Sequence, residues 1–101
     1  QMLMEGGLDR MAQAKGALSR GDIAQKGLML GKAIEIISGL RDGLEPEKAE
    51  DPAAVQQLDA LYEYMSNRLV EANGVNDADM IDEVARLLIT VKSGWDAIAP
   101  Q

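Results

Sequence analysis

Carboxylates are the only chemically versatile side chains present in quantity: 17 Asp and Glu stand against 10 Lys and Arg, with no His and no Cys in 101 residues. Paired acids can move protons or hold a divalent cation. One group, Asp79, Asp82 and Glu83, is dense enough to raise that question. It falls at the start of a predicted helix, where acids offset the positive end of the helix dipole, and that role accounts for it without catalysis. The lack of His removes the commonest general base and metal ligand. It also excludes a di-iron bundle of the Glu-x-x-His kind. Without Cys there is no disulfide and no thiolate metal site. The hydroxyls Ser19, Ser38, Ser66, Ser93 and Thr90 have no base at helical spacing other than Lys, and read as solvated helix-surface groups. Gly6-Gly7 lacks the preceding strand and following Lys of a phosphate loop. Gly27 and Gly31 have the spacing of a close helix–helix contact. No catalytic residue, metal ligand or cofactor is expected, and the chain reads as a binding protein rather than an enzyme.

The elements that would position any site are helices. Apolar residues recur at three and four, and strand-like alternation is absent. A first helix is predicted from Gln1 to about Arg20, with Met4, Leu8, Met11 and Leu18 on one face. Lys15 takes the missing heptad position, its stem packed and its charge in water. Gly21 is the expected stop. Asp22 caps a second helix, and Gln25 completes the capping-box pattern. Its inner stripe reads Ile23, Gly27, Leu30, Ile34 and Ile37, and Gly43 is expected to end it in the left-handed conformation with Leu44 folding back. An acidic loop, Glu45 to Glu50, follows. Asp51-Pro52 opens a third helix. Its seam is Val55, Leu58, Tyr62, Met65, Leu69 and Ala72, closed by Asn73-Gly74. A fourth helix begins after Asn76-Asp77. Its heptad seam is Ile81, Val84, Leu88, Val91, Trp95 and Ile98, ended by Pro100. Segments of similar length with short connections predict one all-α domain over residues 1–101, an antiparallel up-down four-helix bundle.

Composition narrows the partner. The net charge of -7 repels phosphate backbones and anionic membranes. No apolar run is long enough to span a membrane, and no secretory signal is present. The absence of Cys fits a reducing cytosol. The chain opens on Gln1 and runs at once into Met2-Leu3-Met4, as though trimmed at its front end.

Two features exceed what a plain bundle needs. The second helix carries a further apolar stripe, Met29, Ala33, Ile36 and Leu40, beside its inner one. Leu61 and Tyr64 flank the third seam, with Arg68 on the same side. A helix touching two neighbours needs a broad apolar face; a groove for an amphipathic partner helix needs the same surplus. The second feature is glycine. Gly6, Gly7, Gly16, Gly27, Gly31, Gly39 and Gly94 fall inside predicted helices. Each costs roughly 0.5–1 kcal/mol against Ala, so either close helix approach offsets the loss or the bundle is soft.

Several motifs in register resemble one known family. The run Met2-Leu3-Met4-Glu5-Gly6-Gly7-Leu8 is similar to the first bundle helix of the FliS family of flagellin-specific export chaperones. So is Lys32-Ala33-Ile34-Glu35-Ile36-Ile37, followed by Leu40 and Leu44. The most specific stretch is Leu61-Tyr62-Glu63-Tyr64-Met65-Ser66-Asn67-Arg68-Leu69, continued by Glu71-Ala72-Asn73. The ending Leu87-Leu88 with Trp95 and Ile98 also fits, so the resemblance covers essentially the whole chain. Met4 stands where the family often has Tyr.

The resemblance implies a cytoplasmic chaperone that binds the C-terminal helices of flagellin, keeps them from polymerising and aids delivery to the export gate, whose protein FlhA is the expected docking partner. It implies no cofactor. It also implies a preceding segment with a tyrosine motif that can cover the client groove. The groove is expected at Met29, Ile36, Leu40, Leu61 and Tyr64, with Arg68 pairing with a client carboxylate. Ile36→Asp and Leu61→Asp are expected to weaken flagellin binding while leaving helicity largely intact. The alternative is a structural bundle whose second stripe forms a homodimer.

Overall fold

The computed structural model describes the backbone of residues 2–98 and the side chains of residues 2–96. The Ile98 side chain, Gln1 and Pro100 lie outside the described residues. Helices α1 (Met2–Ser19), α2 (Ile23–Asp42), α3 (Pro52–Val75) and α4 (Ala78–Ile98) make up the chain, with a short 3-10 turn at Pro46–Lys48 between α2 and α3.

Each end has a local cause. Gly21, at φ +74°, breaks the chain after α1 in a conformation that only Gly adopts cheaply. Asp22 then accepts the Gln25 N–H at 3.1 Å and starts α2. The Asp51 carboxylate accepts the Ala54 N–H at 3.2 Å, with Pro52 in the first turn of α3. Two sequence expectations fail here. Gly43 is right-handed (φ -79°) rather than left-handed, because the chain leaves α2 through further turn-type bonds, Gly43 N–H to Gly39 O and Leu44 N–H to Arg41 O. Nor does α3 stop at Asn73-Gly74. It runs on to Val75 and is closed by Asn76 in the left-handed conformation (φ 55°), which Asn tolerates better than most residues. Asn76 therefore ends α3, and Asp77 alone starts α4, accepting the Asp79 N–H at 2.9 Å.

Neighbouring helices run antiparallel. Across α1 and α4, Glu5 reaches Lys92 while Lys15 reaches Asp82. Across α2 and α3, Arg41 reaches Asp59 while Lys26 reaches Asn73. Each helix packs on its two chain neighbours, with α4 closing back on α1. This is the up-down four-helix bundle expected from the periodicity.

The core is aliphatic and sulfur-rich: Met11, Leu30, Ile37, Met65, Leu69, Ile81, Val84 and Leu88 are fully enclosed. The α1–α2 interface is the most extensive, and small residues make it so. A methyl group on Gly7 would lie 3.3 Å from Leu88 Cδ2 and 3.5 Å from Ile36 Cγ2, while one on Gly6 would lie 3.5 Å from Ile36 Cδ1. Gly31, Gly39 and Gly94 have nothing within 4 Å, so close packing offsets Gly6 and Gly7 but not these.

The inner face of α2 is broader than the stripe read from the sequence. Leu30 and Ile37 of that stripe are fully buried, but Ile23 is 51% exposed, and Met29, Ala33 and Leu40 of the second stripe are buried too. The glycines of α1 bring that helix close to the second stripe, rotating the buried face of α2 toward α1.

Candidate binding cleft

The two ends of the bundle differ. At one end lie the start of α1, the close of α2, the start of α3 and the close of α4. There the helices leave an apolar cleft of about 390 Å³. Leu3 and Met4 come from α1, Leu40 and Leu44 from the end of α2, Leu58 and Tyr62 from α3, and Val91 and Trp95 from α4. Gly39 and Gly43 contribute the space their missing side chains leave. Leu3 is 47% and Trp95 48% exposed, so large apolar groups stand at the mouth in contact with water. Burying such surface in a partner yields about 25 cal/mol per Å² before ordering costs.

Ion pairs brace the helices around this end. Arg41 of α2 donates to Asp59 at 2.5 Å and Glu63 at 2.7 Å on α3. The Arg41 hydrogen bond holds the Asp59 carboxyl below its usual range, and the guanidinium is pushed up in turn, first by Asp59 and then by Glu63. Lys92 lies 2.7 Å from Asp96 and 3.7 Å from Glu5, joining α4 to α1. Its hydrogen bond to Asp96 raises the ammonium and lowers that carboxyl.

The residues singled out from the sequence do not form one surface. Leu40 lines the cleft. Met29 lies inside the core, and Ile36 is half-buried between α1 and α2 against Gly6 and Gly7. Leu61 is half-buried and packs on the core. Tyr64 is 44% exposed and donates its hydroxyl to Glu83 of α4. Arg68 Nε lies 2.9 Å from Glu83, and its Nη1 3.1 Å from Glu71. The Tyr64 hydroxyl, and then Arg68, hold the Glu83 carboxyl below its ordinary value. The acidic group Asp79, Asp82 and Glu83 is thereby divided: Asp82 pairs with Lys15 of α1, Glu83 with α3, and Asp79 sits in the first turn of α4. Among the described residues no cluster of three or more acids could hold a metal ion.

Sequence reasoning missed most of the cleft. Leu58, Tyr62, Val91 and Trp95 all lie on predicted seams, so periodicity marked them as core, whereas in the fold they border the cleft. It also missed Lys26. This side chain is 3% exposed and donates to the Asn73 carbonyl at 2.8 Å and the Asn76 side-chain oxygen at 2.5 Å, bracing the end of α3 from within α2.

Fold and cleft together define a helical bundle with a preformed apolar recess open to solvent, the form of a protein that holds part of another. Comparison with known proteins places it further. The family described as flagellar protein FliS matches residues 1–101, and the chain belongs to that family. It is 56% identical over 99 residues to the flagellar secretion chaperone FliSB of Pseudomonas aeruginosa, covering 98% of this chain and 77% of that protein. It is 44% identical over 101 residues to the flagellar secretion chaperone FliS of Vibrio cholerae (100% and 73% covered). With that of Salmonella typhimurium it shares 41% over 102 residues (100% and 74%). These relatives support an export-chaperone role with a client protein as partner. No helix among the described residues is long and apolar enough to cross a membrane.

Proposed function

We propose that the protein is a cytoplasmic chaperone that seats the C-terminal helices of flagellin on this bundle, prevents their premature polymerisation and aids their delivery to the export gate through FlhA. The observation that carries the reading is the apolar cleft with Leu3 and Trp95 at its mouth. Amphipathic client helices would associate with one another if left free, and a recess that takes up their apolar side chains competes with that association. Leu40 joins the seat from the cleft wall. Leu61, Tyr64 and Arg68 extend it along the outer side of α3, where a client carboxylate competes with Glu83 and Glu71 for Arg68. Met29 and Ile36 support the seat from within rather than touching the client.

Calorimetric titration with a flagellin C-terminal fragment tests this. Saturable binding that also raises the melting temperature is the expected result. A concentration-independent dimer by light scattering that ignores the fragment would instead identify a self-associating bundle. Leu61→Asp is expected to weaken binding with helicity retained, whereas Ile36→Asp, placing a charge against Gly6 and Gly7, is expected to lower stability first.

A further inference from the structure

Tyr62 differs from every other residue lining the cleft in carrying a hydroxyl. Its side chain is 2% exposed, the ring packed into the core. Tyr64 gives its hydroxyl to Glu83, but no described residue hydrogen-bonds the hydroxyl of Tyr62. Among the described residues no fully enclosed side-chain oxygen or nitrogen lacks a partner. The Tyr62 hydroxyl is therefore not fully sealed, and Tyr62 is one of the residues that line the cleft. Burial pushes the phenol above its usual value, so it stays protonated and can donate at neutral pH.

The position of that hydroxyl limits what can meet it: Tyr62 is 2% exposed, and the residues around it in the cleft are apolar or glycine. Within a helix the backbone carbonyls are already paired, and only the last turn leaves carbonyls free. A donor deep in an apolar recess therefore discriminates. A client segment that brings a free carbonyl satisfies it, whereas one that brings only apolar groups strips the hydroxyl of water and leaves it unpaired, at a cost.

We infer that the Tyr62 hydroxyl is the recognition group of the cleft, donating to a free backbone carbonyl in the last turn of a client helix while that turn's apolar side chain fills the space between Leu40, Leu58 and Trp95. The inference rests on the client-binding reading above and names the part of the client that enters. Tyr62→Phe keeps the ring and removes only the hydroxyl. Because no partner within the chain is lost, the melting temperature of the free protein is expected to be unchanged or slightly raised. Affinity for a flagellin C-terminal fragment, measured by calorimetry, is expected to fall about three- to tenfold. Trp95, the only tryptophan in the chain, lines the same cleft, and its emission should shift as the fragment binds. Equal affinity of the two proteins overturns the inference, as does binding that leaves Trp95 emission unmoved. A lowered melting temperature for Tyr62→Phe also overturns it, since the hydroxyl then serves the fold. If the wild-type protein itself does not bind the fragment, the client reading fails first and takes this inference with it.

Discussion

The two ends of the bundle are built from the same kinds of residue and come out differently. Toward the closed end, Met65, Leu69, Ala72, Ile81 and Val84 are completely enclosed, and Lys26 holds the last turn of α3 with its buried ammonium. At the open end, the seam residues Leu58 and Val91 are only half-buried, Trp95 meets water, and the bracing comes from surface ion pairs around Arg41 and Lys92. Enclosed apolar packing is worth several kcal/mol per side chain, whereas exposed ion pairs are worth little. Complete enclosure is therefore commoner toward one end, and the other carries the cleft with Leu3 and Trp95 at its mouth.

The strongest way to break this comparison is to truncate one leucine at each end. Leu69→Ala should cost about 2–5 kcal/mol, because the cavity it leaves cannot be filled by water or by collapse. Leu3→Ala, at the mouth of the cleft, should cost less than about 1 kcal/mol. Equal losses in urea unfolding would show the two ends to be alike. Next in size is Lys26→Met, which keeps the packed stem and deletes the ammonium. With the Asn73 carbonyl and Asn76 side chain left without their donor, a loss of about 1–3 kcal/mol is expected, read as an earlier urea midpoint.

Trp95→Ala sharpens the contrast in the other direction. The residue is half-exposed, so thermal stability should fall little, while affinity for a flagellin C-terminal fragment should drop about tenfold or more if it acts as an aromatic anchor. Gly39→Ala addresses the same cleft from α2. Nothing lies within 4 Å of the added methyl, so helix propensity should raise stability by about 0.5–1 kcal/mol while the methyl intrudes on the client's space.

The smallest effect is that of pH. Asp59 and Asp96, both bracing the open end, have carboxyls lowered by hydrogen bonds to Arg41 and Lys92. A lowered carboxyl contributes stability above its unfolded pKa, and that contribution is lost as pH falls through the folded value. Below about pH 4, the ordinary carboxylate range, the open end, braced by two such carboxyls and little enclosed packing, should loosen before the closed one, where Glu83 is the lowered carboxyl and the enclosed core remains. Trp95 emission should then change ahead of the helical circular dichroism signal. Simultaneous loss of both signals would mean the ends unfold as one unit.

Much of this architecture is legible in the residues themselves. Gly21, Asp22, Asp51 and Pro52 act on their own neighbours along the chain, and helix boundaries set by such local bonds can be read without knowing the fold. The seams of α3 and α4 are legible for the same reason, since a repeat of three and four fixes a face whatever packs on it. The glycines of α1 are visible in the sequence, but their consequence, α1 settling close on α2 and turning Met29 and Ala33 inward, depends on a partner helix.

Periodicity, local capping and family motifs thus determined an all-α bundle of the FliS family from the chain alone. Tertiary structure decided which apolar residues are enclosed and which line the cleft. Burial depends on how far apart the helix axes stand at each level of the bundle, and a one-dimensional repeat carries no record of that distance. Leu69 and Trp95 occupy the same kind of seam position, yet Leu69 is enclosed by the core while Trp95 borders the cleft and meets water.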